Sequence, residues 1–325
     1  MTGTVELGEI TCPSGELVLM DGGYLRLWSG DRPPEQDRDE SIPPGADFEI
    51  VGADAGAAAR SFDRQWGRTV YDIPQHSAAE FAEAFAAHCR EHGHDARLQP
   101  FAAQVPHRDR ARRASAAGDP GFIVSGVPVA VVGGMPADRP LRVTAEPGDG
   151  YGWRHIRIEA GAGPVTHRRE LASIGVDNAR FVFADADALN AWVHDLPIDD
   201  LADVVFWGRD DATLAEELGA PRVGRDGYGW LDLPVGDAYT RALDLERRRG
   251  DPAGPRFNFD FRPHSHHWQV MAGVRAAEHE AATIHVGGAE VMFAMTSVGD
   301  GFFPVHAELD ADGALVAVQI SIDSE

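Results

Sequence analysis

At 325 residues the chain is long for one hydrophobic core and suits two domains of about 100–200 residues each. Apolar residues make up 43% and charged residues 25%, near the globular average of about 45–50% and about 25%, so the bulk of the chain is expected to fold. With 52 acidic against 29 basic side chains, the net charge of −23 repels phosphate backbones and anionic lipid and argues against nucleic-acid and membrane partners.

All the basic residues are arginine. Without lysine the chain has no amine for a Schiff base or for the P-loop phosphate contact. Cys12 and Cys89 form neither a CxxC pair nor a zinc array, and both read as thiols. Nowhere do about 18 apolar residues run together, and Glu6 and Glu9 stand where a signal peptide would be basic, so a soluble, cytoplasmic protein is the expectation.

In chain order, Glu9–Trp28 has the pattern of a hairpin, with Pro13-Ser14-Gly15 turning into Leu17–Met20 and Asp21-Gly22-Gly23 turning out through Tyr24–Trp28. Residues 29–46, rich in Pro, Asp, Glu and Gly, are predicted as a loop. Ser77 and Glu80 spell a capping box for a helix over Ser77–His92 that buries Phe81, Phe85 and Cys89 and stops at Gly93. A second helix is predicted from Asp237, carrying Ala238, Leu243 and Leu245, to the cationic end Arg247-Arg248-Arg249-Gly250. Strands are expected at Asp47–Val51, Phe122–Val132, His155–Glu159, Arg180–Phe183, Val204–Trp207, Ala282–Val286, Val291–Thr296, Val305–Glu308 and Leu315–Ile322, with Asp312-Gly313 as a hairpin turn. The basic run His107–Arg113 reads as a solvated helix face.

An internal repeat organises these elements. Ala46-Asp47 and a following apolar run match Ala202-Asp203, Asp72-Ile73-Pro74 matches Asp232-Leu233-Pro234, and Arg113-Ala114 matches Arg275-Ala276, with an offset that grows from 156 to 162 residues. The fold class expected is α+β: two tandem, diverged α+β repeats with mixed or antiparallel sheets, spanning residues 1–160 and 161–325. The pentapeptide Asp149–Trp153 recurs as Asp226–Trp230 at an offset that does not fit, and the two read as similar turns reached independently.

Candidate site residues concentrate in the last third. On an extended strand His264 and His266 would face one side, a spacing that suits zinc or a similar divalent metal. The competing reading has Pro263 and Ser265 open a helix whose first turn the histidines decorate, and the incomplete ligand set favours it. Gly299-Asp300-Gly301 can present the Asp300 carboxylate and two amides at one point, or can be an ordinary turn. The first copy has Gly133-Gly134-Met135-Pro136 in that region and lacks the carboxylate, which argues for more than a turn.

The run Ala282–Ile322, with Gly299-Asp300-Gly301-Phe302-Phe303-Pro304-Val305 and then Asp312-Gly313, resembles the bacterial proteins catalogued as domain of unknown function 4241. Pro13-Ser14-Gly15 and Asp21 resemble that family's opening motif, although Gly22 stands where a proline is expected. The resemblance implies a globular α+β domain, carries no activity with it, and makes Asp21 and Asp300 neighbours if the termini share a sheet.

Two functions stay open. The charge, the degenerate repeat and the incomplete catalytic sets narrowly favour a non-catalytic binding module of the immunity type, with a protein partner and no cofactor. The alternative is a small-molecule enzyme with Asp300, Asp21 and His306 in acid–base roles, or with a metal on His264 and His266.

Overall fold

The computed structural model describes residues 3–36, 45–62, 67–117, 121–148, 152–224 and 227–322. The chain opens with strands β1 (Val5–Ile10) and β2 (Glu16–Asp21), then β3 (Gly45–Val51), α1 (Ala55–Phe62), β4 (Thr69–Pro74), α2 (Ala78–His92), β5 (Arg97–Pro100) and α3 (His107–Ala117). Four strands follow, β6 (Gly121–Val124), β7 (Val127–Gly133), β8 (Leu141–Pro147) and β9 (Trp153–Glu159), and then the pair β10 (His167–Val176) and β11 (Arg180–Asp185). Next come β12 (Leu201–Trp207), α4 (Asp211–Leu218), the short β13 (Arg222–Val223), β14 (Gly227–Pro234), α5 (Val235–Arg249), β15 (Asn258–Pro263) and α6 (His266–Ala276). The last four strands are β16 (Ala281–Val286), β17 (Ala289–Met295), β18 (Gly301–Leu309) and β19 (Leu315–Ser321). The class is α+β with antiparallel sheets, richer in strand than the sequence suggested.

Two compact units form, one from Met1–Trp192 with Gly273–Glu325 and one from Val193–Ala272. Strands from both sides of residue 160 share sheets in the first unit, so compactness does not follow a division at that point.

The first unit holds two six-stranded sheets, ordered β1-β8-β9-β19-β18-β10 and β16-β17-β11-β2-β7-β6. Leu17, Leu19, Phe181 and Phe183 of one meet Val143, Ile156, Ile158 and Ile320 of the other in a single core. In β8 and β9 apolar and charged residues alternate, so Ile156 and Ile158 point inward while Arg157 and Glu159 point out. Strands β2 and β11 are apolar at nearly every position because both of their faces are covered.

At the centre of the second sheet Leu19 pairs with Phe183, and at the centre of the first Arg157 pairs with Gln319. Buried Asp21, closing β2, accepts N–H bonds on Oδ2 from Asp177 at 2.6 Å and Asn178 at 2.8 Å, and on Oδ1 from Gly23 at 2.6 Å. Buried Asp185, closing β11, accepts from Ser14 at 2.7 Å on Oδ2 and from Asp187 and Ala188, each at 2.9 Å, on Oδ1. Each aspartate therefore holds the turn that leads into the other's strand.

A smaller sheet in the first unit, β4-β3-β5, packs on α1 and α2 through Ile50, Ala58, Val70, Phe85 and Cys89. The second unit's sheet, β13-β14-β12-β15, packs on α4 and α5 through Val204, Phe206, Leu214 and Leu245. The residue after each central strand is a glycine of positive φ, Gly52 at 133° and Gly208 at 145°. A Cβ would lie 2.3 Å from the Asp95 carbonyl oxygen in one case and 2.8 Å from the Phe257 Cα in the other, so neither site admits a side chain. Two residues on, Asp54 exchanges backbone and carboxylate hydrogen bonds with Asp95, and Asp210 does the same with Arg256.

Several local readings change. Gly93, at φ 69°, ends α2 as expected, but the Ser77 hydroxyl donates to the Pro74 carbonyl and no capping box forms. Leu243 lies on the exposed side of α5, which buries Ala238, Ala242 and Leu245 instead. Tyr24–Leu27 is a 3-10 turn, and 122–132 splits into a hairpin at Ser125-Gly126, whose φ angles of 49° and 86° suit a tight two-residue connection. Gly227–Trp230 lies inside β14 and is not a turn, while residues 149–151 and Asp226 of the pentapeptides, like 37–44 of the loop, fall outside the described residues.

Replacing Asp21 or Asp185 with Asn removes an acceptor from buried amides. Each change is expected to lower unfolding free energy by at least about 1–3 kcal/mol in urea titrations, with the slope unchanged.

Candidate functional site

The acid–base candidates do not converge. The Asp300 carboxylate accepts the Ala179 N–H at 2.9 Å, next along the chain from the Asp177 and Asn178 amides held by Asp21. The two aspartates thus share one turn, and both serve its backbone. His306 lies farther along β18 on the outward face, 3.1 Å from an Arg168 Nη atom. Six residues at about 3.3 Å per residue separate it from Asp300 by roughly 20 Å.

His264 and His266 also part. Strand β15 ends at Pro263, and the Ser265 hydroxyl accepts the Trp268 N–H at 3.2 Å, which starts α6 and takes His266 into the helix. The two-imidazole strand geometry therefore does not form. His266 Nδ1 accepts the Val193 N–H at 2.9 Å. His264 sits among carboxylates, with Nδ1 3.0 Å from Asp199, Nε2 3.0 Å from Asp203, and Asp232 at 3.8 Å. Among the described residues, Asp203, Asp232 and His264 bring ligand atoms within 4.8 Å of one another. Burial alone would lower the His264 pKa, but the bonds to Asp203 and Asp199 outweigh it and hold the imidazole above its ordinary value. With both ring nitrogens on carboxylates, His264 has the partners of an imidazolium.

A second acidic pair lies in the first unit. The basic run is solvated only in part: Arg112 and Arg113 are exposed, but His107, Arg108 and Arg110 are buried, and Arg110 is wholly so. Its guanidinium reaches Asp72 at 2.7 and 2.9 Å and Asp47 at 3.2 Å. Asp47 in turn accepts the Asp72 N–H at 2.8 Å and the Val105 N–H at 2.6 Å. Burial would raise Asp72, yet the Arg110 charge outweighs it and holds that carboxyl low. Asp232 repeats the Asp72 geometry, with its N–H on Asp203 at 2.9 Å and φ of 53° against 57°.

The outer face of the β1-β8-β9-β19-β18-β10 sheet is the remaining candidate. An ion-pair ladder crosses it, with Arg142 on Glu159 at 2.7 Å, Arg157 on Glu159 at 3.1 Å and Arg157 on Glu308 at 2.8 Å. His155 stands 3.3 Å from Glu146, and a shallow depression of about 330 Å³ opens over Glu6, Arg142, Glu146 and Arg157. Sequence periodicity located three strands of this face, at His155–Glu159, Val305–Glu308 and Leu315–Ile322, and did not single the face out. No family model matches the chain, and neither a curated protein nor a solved structure matches it.

The His264 cluster sets a pH dependence. Its pKa is raised on folding, so its contribution is full below the unfolded value of about 6.5 and is lost as pH rises through the folded value. Asp199 is held low by the same contact, so its contribution fades only at acid pH. Melting temperature is expected to fall from slightly acid toward mildly alkaline pH, and His264→Gln to flatten that slope. Arg110→Met, which strands two buried carboxylates, is expected to cost about 3–5 kcal/mol by urea denaturation.

Proposed function

We propose that this protein is a non-catalytic binding module, built from two diverged copies of one α+β unit, that takes a protein partner on its charged sheet face. Several regularities support the duplication. Each six-stranded sheet reads alike from both ends when β1–β9 are set against β10–β12 and β14–β19, and the central pairs join Leu19 to Phe183 and Arg157 to Gln319. The order strand, helix, strand, helix, strand, helix and four strands begins at β3 and, apart from the short β13, at β12. The reciprocal Asp21 and Asp185 bonds and the Asp54 and Asp210 clamps are the same devices used twice. On this reading the copies divide near residue 160.

The observation that carries the binding reading is the use of Asp21 and Asp300 on backbone amides, beside a broad face bearing ions of both signs. Six strands about 4.8 Å apart and about seven residues at about 3.3 Å give roughly 500 Å² in projection, a scale nearer to a protein interface than to a metabolite. The enzyme reading draws on one observation, the Asp203, Asp232 and His264 group. A metal there would have to displace the His264 ion pairs.

A partner captured from the source cells should bind the purified chain at least about tenfold more weakly, about 1.4 kcal/mol, after Arg142→Glu with Arg157→Glu. Asp300→Asn should bind as the wild type and change stability by under about 1 kcal/mol. Undiminished binding by the double variant overturns the assignment of the face, and loss of binding in Asp300→Asn restores that carboxylate to a functional role.

A further inference from the structure

Three histidines that lie outside every site described so far gather at the C-terminal end of α2. His88 and His92 are four residues apart and so share one helix face. Gly93 then turns the chain back at φ 69°, which brings His94 to the same place. Ring centroids lie 4.1 Å apart for His88 and His92, 6.0 Å for His92 and His94, and 6.2 Å for His88 and His94. From α1 the Ser61 hydroxyl meets two of the rings, at 2.8 Å from His88 Nε2 and 3.1 Å from His94 Nε2.

We propose that His88, His92 and His94, with the Ser61 hydroxyl beside them, form a binding site for a borderline divalent cation of the zinc type. The His92 tautomer suits it. His92 Nδ1 is 3.0 Å from the His88 carbonyl oxygen, which can only accept, so the proton sits on Nδ1 and the Nε2 lone pair is left for a metal. Anchoring the non-ligating nitrogen on a backbone carbonyl is the usual support of a metal-bound imidazole. The Nε2 atoms of His88 and His94 already converge on the Ser61 oxygen, whose own proton goes to the Ala58 carbonyl at 3.2 Å, so a metal would take the place of the two ring N–H contacts and draw the nitrogens to the roughly 2.0–2.1 Å that zinc requires. Three imidazoles leave a fourth position for the hydroxyl or a water.

The company these rings keep points the same way. Three histidines elsewhere in this acidic chain pair with carboxylates, His155 with Glu146, His264 with Asp199 and Asp203, and His285 with Glu290. Among the described residues no carboxylate bonds to His88, His92 or His94. Nitrogen donors without carboxylates select zinc, nickel or copper over magnesium and calcium.

Zinc alone is the probe. Titrated into the full chain at pH 7.5, it should saturate near one equivalent and raise the melting temperature, whereas magnesium should do neither. His88→Ala and His94→Ala should each weaken zinc by more than the about 10–100-fold that loss of an outer-shell partner costs, and Ser61→Ala by about that amount. The exposed His92→Ala variant leaves the packing of α2 intact and should also weaken it. Binding should survive His264→Ala and Asp203→Asn and disappear near pH 5 as the imidazoles protonate. Zinc without effect on the melting temperature, or zinc affinity unchanged in both His92→Ala and His94→Ala, overturns the site, and loss of binding in Asp203→Asn moves it to the acidic cluster.

Discussion

Two buried aspartates fix the centre of the first unit. Asp21 and Asp185 lie at the ends of adjacent strands, and each ties down the turn that starts the other strand. A carboxylate taken out of water costs several kcal/mol, a cost offset only when its lone pairs are filled, and here three or more N–H groups fill them. What this gains is register more than raw stability. A one-residue slip of β2 against β11 would turn each core residue to the opposite face and leave both turns without acceptors. The core that joins Leu19, Phe183, Ile156 and Ile320 can interdigitate only in the register these bonds allow.

The same economy governs the acidic pairs in the two smaller sheets. Asp47 and Asp72 are neutralised by a wholly buried guanidinium that stays charged at any ordinary pH. Asp203 and Asp232 face an only partly buried imidazole whose charge depends on a bound proton, which Asp203 helps to hold. Arg110 stands on α3, and 162 residues later, at the offset that matches Arg113-Ala114 to Arg275-Ala276, the chain has Ala272. On the duplication reading one copy kept a permanent cation and the other replaced it with a proton-dependent one, so the two sheets differ in how far their stability follows the solution.

The sequence disclosed much of this architecture through periodicity and little of it through chemistry. Apolar runs located most late strands and the α2 helix, because burial on one side leaves a regular imprint. Strands β4, β5, β8, β10, β13 and β14 escaped, since most are short or charged stretches with weak patterns that are held by pairing with neighbouring strands. Asp21 and Asp300 were visible as unusual residues, but whether a carboxylate meets a substrate or a turn depends on what the fold brings opposite it. The run His107–Arg113 misled in part for the same reason, because Arg108 and Arg110 are drawn inside by acidic residues from other elements. His88, His92 and His94 did carry a signal, a four-residue spacing on a helix followed by a glycine turn, which the stronger cluster at His264 obscured.

The long reach of the central strand pairs also sets the order in which the molecule can come together. The Ser14 amide waits for Asp185, and β2 has its inner edge open until β11 has been made. At about 5–20 residues per second the intervening chain takes roughly 10–30 s to synthesise. Until then the early strands carry apolar faces with no partner sheet, and the high contact order slows closure further. For a ribosome-bound chain of this design, the hazard is therefore that β2 pairs with another nascent copy before its own later half arrives, and protection during synthesis matters as much as the stability of the finished fold.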